Sequence, residues 1–303
     1  MKKIKINLLA LLLIASLGAC KKQDALENPD NIPGLGGDTW SSTSIDKWIA
    51  DSLTKPYNIS AKYKWDQSEL ELNKMLVPPM EEKIIPVLSA VKKVWISTYE
   101  AEAGSNFIKE HCPRFFVLVG SASYNTDGTI TLGTAEGGRK VVLYVLNDFR
   151  TKAMSGYSPS DSAGIKQMFH TIEHEFGHIL HQTIMYPLAF KQVTSGLYTA
   201  NWNNTSDMDA HKDGFVSAYA MSAYDEDFVE MISIMLTEGR AGFDKIVNSV
   251  PAGISSNGTT QAQAQGNLRQ KEAMVVSYFK QTWGINFYSL QTRVRAAITS
   301  LIQ

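Results

Sequence analysis

The sequence predicts an α+β domain: one helix packed on a small mixed sheet, then a mainly helical second half that carries the chemistry. Three observations lead there. Apolar runs of strand length, Phe115 to Val119 and Lys140 to Leu146, are confined to the first half. Helical periodicity dominates from Ser158 onward. Four of the six histidines fall within one helical segment, between His170 and His181.

The 303-residue chain is 44% hydrophobic and 19% charged, an ordinary composition for a folded protein. Its formal net charge of −1 gives no electrostatic case for a nucleic-acid partner. At the N-terminus, Lys2, Lys3 and Lys5 precede an apolar core from Leu8 to Ile14, followed by small residues at Ala15, Ser16, Gly18 and Ala19. That is the layout of a signal peptide over residues 1–19, too short for a permanent membrane span. Leu17-Gly18-Ala19-Cys20 resembles a bacterial lipobox, which implies lipidation of Cys20 and attachment to a membrane. Residues 20–43 read as a flexible tether and residues 44–303 as the folded domain. The remaining cysteine, Cys112, is expected to be a buried packing residue.

Within the domain, Ile45, Trp48 and Ile49 have helical spacing, and Tyr57 to Trp65 alternates as a first strand would. A long helix is predicted over Glu81 to Ala103, with Ile84, Val87, Leu88, Val91, Trp95 and Tyr99 facing the core and Pro86 bending it or lying in its first turns. Phe115 to Val119 suits a central strand. Ile130 to Leu132 and Lys140 to Leu146 suit two more, joined through Gly133 to Arg139, where Gly137-Gly138 invites a turn. Ser158-Pro159-Ser160-Asp161 then opens a helix, with Ser158 as cap, Pro159 at the first position and Asp161 at the third.

At 100° per residue that helix carries two stripes. Ile165, Met168, Phe169, Ile172, Phe176, Ile179 and Leu180 form one side; His170, His174, His178 and His181 form the other. A solvated face would carry Lys, Glu and Gln, so four histidines imply a lined cleft. His174-Glu175-Phe176-Gly177-His178 matches H-E-x-x-H. Two imidazoles one turn apart can reach a single zinc ion, and Glu175 beside them can take a proton from an attacking water and return it to the leaving group. Gly177 permits close packing or room beside the metal. His170 and His181 share the stripe, as cleft-lining or ligand-orienting residues.

Catalytic zinc takes a third protein ligand. The metzincin continuation would need glycine at 181 and histidine at 184, where this chain has His181 and Ile184. The next strong helix opens at Asp225 and places Glu226, Glu230, Ser233 and Thr237 on one narrow stripe among apolar residues. Two carboxylates there are costly to bury unless a cation meets one and a histidine N–H the other; a metal for Glu226 and a histidine for Glu230 would satisfy both.

HEFGH followed by Tyr219 and then Glu226-Asp227-Phe228-Val229-Glu230 resembles the gluzincin arrangement in the catalytic domain of anthrax lethal factor and related peptidases. That resemblance implies a zincin-like fold, Glu226 as third zinc ligand, Glu230 behind the ligands, and Tyr219 as donor to the developing oxyanion, with Tyr224 its competitor. A wider resemblance rests on Ile45-Asp46-Lys47-Trp48-Ile49, Pro56-Tyr57-Asn58-Ile59, Tyr63-Lys64-Trp65 and His174 to Gln182. These look like the substrate import-associated zinc metallohydrolase lipoproteins of Bacteroidota. The resemblance implies an outer-membrane lipoprotein working beside TonB-dependent importers on a peptide or other amide substrate. The alternative is a non-catalytic accessory binding lipoprotein with a structural metal site.

Overall fold

The computed structural model describes residues 41–71, 73–125, 130–131 and 140–303, together with the backbone of 133–136. The expected signal peptide, Cys20, most of the tether, Leu132 and the Gly137-Gly138 turn lie outside the described residues. Ser44–Gln303 forms one compact unit.

Helix α1 runs continuously through Ser44–Ile49, Ala50–Thr54 and Lys55–Tyr57. It reaches further than its apolar spacing suggested, so the strand expected from Tyr57 shrinks to β1, Ser60–Lys62. The reason is local: Pro56 is tolerated in the last short turn, and Asn58 ends the helix in the left-handed region at φ 56°. Helix α2 covers the predicted span as Glu81–Val91, a π-type turn at Lys92–Ile96, and Ser97–Ala103. Pro86 lies inside it, and Ile84, Val87, Leu88, Val91, Trp95 and Tyr99 are all buried. A short α3, Ser105–His111, leads into the sheet.

The sheet has the order β1-β2-β6-β5, with β2 at Phe115–Leu118, β5 at Gly133–Glu136 and β6 at Lys140–Leu143. β1, β2 and β6 are parallel and β5 is antiparallel to β6. β5 lies where the sequence suggested only a connection; a Gly-Thr-Ala-Glu segment lacks the apolar pattern that marks a strand, and its pairing to β6 makes it one. Ile130–Thr131 (β4) pairs instead with Ser123–Tyr124 (β3) in a separate ribbon. Alternation splits the sheet's faces. Phe116, Leu118, Val141 and Leu143 join the main core, whereas Val117, Val119, Val142 and Tyr144 pack under Leu70 and Leu76.

The second half is helical: α4 at Asp161–Thr183, α5 at Phe190–Val193, α6 at Asp207–Lys212, α7 at Tyr224–Asn248, α8 at Gln261–Trp283 and α9 at Phe287–Ile302. α4 does not take Ser158 as a side-chain cap. Its first turn is closed instead by the Asp161 carboxylate, which accepts the Ser158 N–H at 2.7 Å. Trp95 links the layers, its ring 6.0 Å from Phe116 of the sheet and 5.1 Å from Phe176 of α4. α7 breaks at Gly239, where φ is 71° and ψ −179°. Of the carbonyls before the break, Met235 accepts from Gln291 Nε2 at 2.7 Å and Thr237 from Arg295 Nη1 at 2.8 Å.

Cys112 is 4% exposed, and burial pushes its thiol up to about 11. At pH 8 the thiol is therefore protonated and shielded, and a thiolate-selective reagent should not label it in the folded protein. In a Cys20→Ser background, labelling by iodoacetamide is expected only after unfolding in guanidinium; rapid native labelling would contradict this packing.

Candidate metal centre

The site is made where α4 and α7 meet, and Gly177 sets how closely they do. A Cβ on Gly177 would stand 2.9 Å from Val229 Cγ1 and 3.1 Å from Val229 Cβ. The absent side chain thus lets Val229 sit directly against the α4 backbone. Val229 lies between Glu226 and Glu230 in sequence, so the close contact carries both carboxylates onto the histidine stripe.

His174 Nε2 is 3.0 Å and His178 Nε2 3.3 Å from Glu226 Oε2. The three donor atoms lie within 4.8 Å of one another. Donors held at zinc's ~2.0–2.1 Å in a tetrahedron stand roughly 3.3 Å apart, so this spacing fits the ion. Glu226 Oε2 is buried and accepts no well-directed hydrogen bond, although two ring nitrogens flank it. Such an orphaned anionic oxygen is satisfied by a cation at the centre of the trio. A second group, His170, His174 and Glu230, is also compact. Its 2.8 Å contacts are hydrogen-bond lengths, and Glu230 is the acceptor in both.

Glu230 is 2% exposed and tied on every side. Oε1 accepts from His170 Nε2 and His174 Nδ1 at 2.8 Å each, and Oε2 accepts the Ser217 hydroxyl at 2.6 Å. With Nδ1–H held by Glu230, Nε2 is the His174 nitrogen turned to Glu226, and it is the one a metal would take once its own proton leaves. In the matching tautomer of His178, Nδ1–H donates to His181 Nε2, 3.0 Å away. His181 is buried against the Tyr186 ring, and burial with the neighbouring His178 pushes its pKa down to about 4, so it is neutral at physiological pH. Burial opposes a charged His174, yet the Glu226 and Glu230 carboxylates outweigh it and push the ring up to about 10. Burial likewise opposes charge on both carboxylates, and the histidines still hold them far below the usual range. The field of the site favours positive charge.

Glu175 is half-buried and borders a cleft of about 900 Å³ together with His170, His174, Trp202, Tyr219 and Glu230. The cleft reaches the trio from the His174 side; His178 and Glu226 do not line it. Tyr219 lies near-parallel to His174, ring centres 5.7 Å apart, and is braced by Trp202 at 4.8 Å. Burial, with Glu226 beside it, raises the Tyr219 phenol above its ordinary value, so it keeps its proton. Tyr224 packs on Tyr198 at 4.3 Å and is not a cleft residue. Ser217 and Trp202 carry no local signal in the sequence; both come from the stretch between α5 and α7, outside its short helix α6.

A family model described as "putative zinc-binding metallo-peptidase" matches residues 38–288. The chain belongs to this family. Its fold is also that of a crystal structure described as a "putative zinc-binding metallo-peptidase" from Bacteroides caccae. The two share 28% sequence identity and superpose with a TM-score of 0.67, over 86% of this chain and 96% of that one. No curated protein matches the chain. The metallo-peptidase family and the α+β fold therefore agree with the resemblance drawn from HEFGH and its neighbours.

Gly177→Ala forces a methyl into Val229. It is expected to cost about 1–3 kcal/mol of stability and to weaken zinc binding by moving Glu226 off the histidines. Urea unfolding and zinc titration of the variant would check both, and unchanged zinc affinity would show that the close approach does not set the site.

Proposed function

We propose that this chain is a zinc-dependent metallohydrolase acting on peptide bonds, with His174, His178 and Glu226 as its zinc ligands. The observation that carries the reading is the buried Glu226 oxygen, 3.0 and 3.3 Å from two imidazole nitrogens on adjacent turns of α4. Bound there, zinc supplies Lewis acidity to a water and to a substrate carbonyl.

The remaining steps belong to the protein. The Glu175 carboxylate accepts a proton from the attacking water and delivers it to the leaving amine. The Tyr219 O–H donates to the carbonyl oxygen as negative charge develops there; its raised pKa keeps that proton in place at neutral pH. Glu230 fixes the His174 ring, and His181 fixes that of His178. An extended peptide suits the surroundings. Among the described residues β5 pairs only with β6, and it packs beside α4, so its free edge can hold a substrate strand by backbone hydrogen bonds. The lipobox-like Leu17-Gly18-Ala19-Cys20 and the resemblance to import-associated lipoproteins support a lipid anchor on Cys20 in the outer membrane, beside a TonB-dependent importer.

A peptide-library screen should reveal cleavage by the zinc-loaded protein. Glu175→Gln is expected to retain zinc and lose roughly 10²–10⁴-fold in turnover, as for a removed general base; full activity in that variant rejects the mechanism. Tyr219→Phe should lower kcat by roughly 10²–10³-fold with zinc content unchanged, the scale of a lost oxyanion donor. Glu226→Ala should lose bound zinc in metal analysis of the purified protein, and undiminished zinc would remove Glu226 from the ligand set.

A further inference from the structure

One residue after the carboxylate of Glu226, α7 carries a second acid of a different kind. Asp227 and Lys271 are both 0% exposed, with Lys271 Nζ 2.6 Å from Asp227 Oδ2. Lys271 comes from α8, where it occupies a core position in the stripe Ala264, Leu268, Val275, Phe279. Its ammonium also donates to the Gly214 carbonyl at 3.0 Å and lies 4.1 Å from the centre of the Phe215 ring. Asp227 Oδ2 accepts in addition from the Tyr198 hydroxyl at 2.8 Å. The pair therefore joins three parts of the chain: the first turn of α7, α8, and the irregular segment that includes Tyr198, Gly214, Ser217 and Tyr219.

Stability alone is a poor reason for such a pair. Taking two charges fully out of water costs more than most ion pairs return, and apolar replacements of similar volume are often neutral or stabilising. The arrangement is also incompletely satisfied, since Asp227 Oδ1 is buried without a hydrogen-bond partner. What charged hydrogen bonds add that apolar packing does not is direction. Lys271 bonds both to the α7 turn that carries Glu226 and to the start of the segment that delivers Ser217 to Glu230 and Tyr219 to the His174 ring.

We infer that Asp227 and Lys271 are positioning residues of the metal centre, fixing Glu226 and the Tyr219 segment relative to one another. The inference rests on the proposed ligand set. It assigns a use to two buried charges that touch neither the metal donors nor the cleft.

The test needs only metal. The double variant Asp227→Leu/Lys271→Met removes both charges at similar volume and leaves neither partner alone. It is expected to fold, to bind zinc about tenfold more weakly, and, loaded with Co²⁺, to show a visible d–d spectrum altered in position or intensity. A parent-like zinc affinity together with a parent-like Co²⁺ spectrum would overturn the inference. If the double variant does not fold, Tyr198→Phe decides, because it removes one directional bond from Asp227 and leaves the ion pair. A changed Co²⁺ spectrum in that variant supports positioning, and an unchanged one overturns it. Glu226→Ala separates the two levels of the argument. Zinc retained in Glu226→Ala rejects the ligand set, and the positioning role with it. Zinc lost in Glu226→Ala, with the double variant unchanged, rejects the positioning role alone.

Discussion

The contact between Gly177 and Val229 is the constraint on which the rest of the site depends. Two helices that carried ordinary side chains at this crossing would stand further apart, and the ring nitrogens of α4 would not reach the carboxylates of α7. Because position 177 has no Cβ, Val229 seats against backbone and Ile232 follows beside it. Each helix then places polar groups on the facing side at i and i+4: His174 and His178 on one, Glu226 and Glu230 on the other. Phe228, Val229, Met231 and Ile232 of α7 are buried around them, so these four groups meet in a layer where their interactions are stronger than in water.

The two histidines on either side of Glu226 are held differently. His174 rests on an anionic carboxylate that also receives His170 and Ser217. His178 rests on His181, a neutral ring whose other nitrogen, Nδ1, is buried without a hydrogen-bond partner. A carboxylate behind an imidazole raises its basicity, whereas a neutral acceptor only orients it. The two candidate ligands are thus unequal, with the more electron-rich ring on the side where the cleft opens and where Glu175 and Tyr219 stand.

The centre of this site was legible because its chemistry requires fixed spacing on one helix. HEFGH, the opposing apolar stripe and the Glu226–Glu230 interval are all local patterns, and the structure brings those residues together. The long α2 was equally readable, since its apolar positions repeat with helical period. What escaped was set by distant partners. β5 has no strand pattern of its own and is ordered by pairing to β6; α1, by contrast, overran its pattern for a local reason, its left-handed stop at Asn58. Ser217 and Trp202 lie in an irregular segment whose course is fixed by tertiary contacts. Lys271 did leave a trace: a lysine in a core position of an otherwise apolar stripe signals a buried partner, though the sequence alone does not say that the partner is Asp227.

The break in α7 at Gly239 has a further consequence. The half before it holds Glu226 and Glu230; the half after it supplies Gly242, Lys245 and Ile246 to the far wall of the cleft. A straight helix would have tied the direction of that wall to the placement of the carboxylates. The left-handed glycine, seated on Arg295 and with neighbouring carbonyls capped from α9, uncouples them. Substitutions beyond residue 239 can therefore reshape what the cleft admits while the chemistry stays where it is. One helix thus carries the candidate metal site on one side of the break and part of the cleft wall on the other.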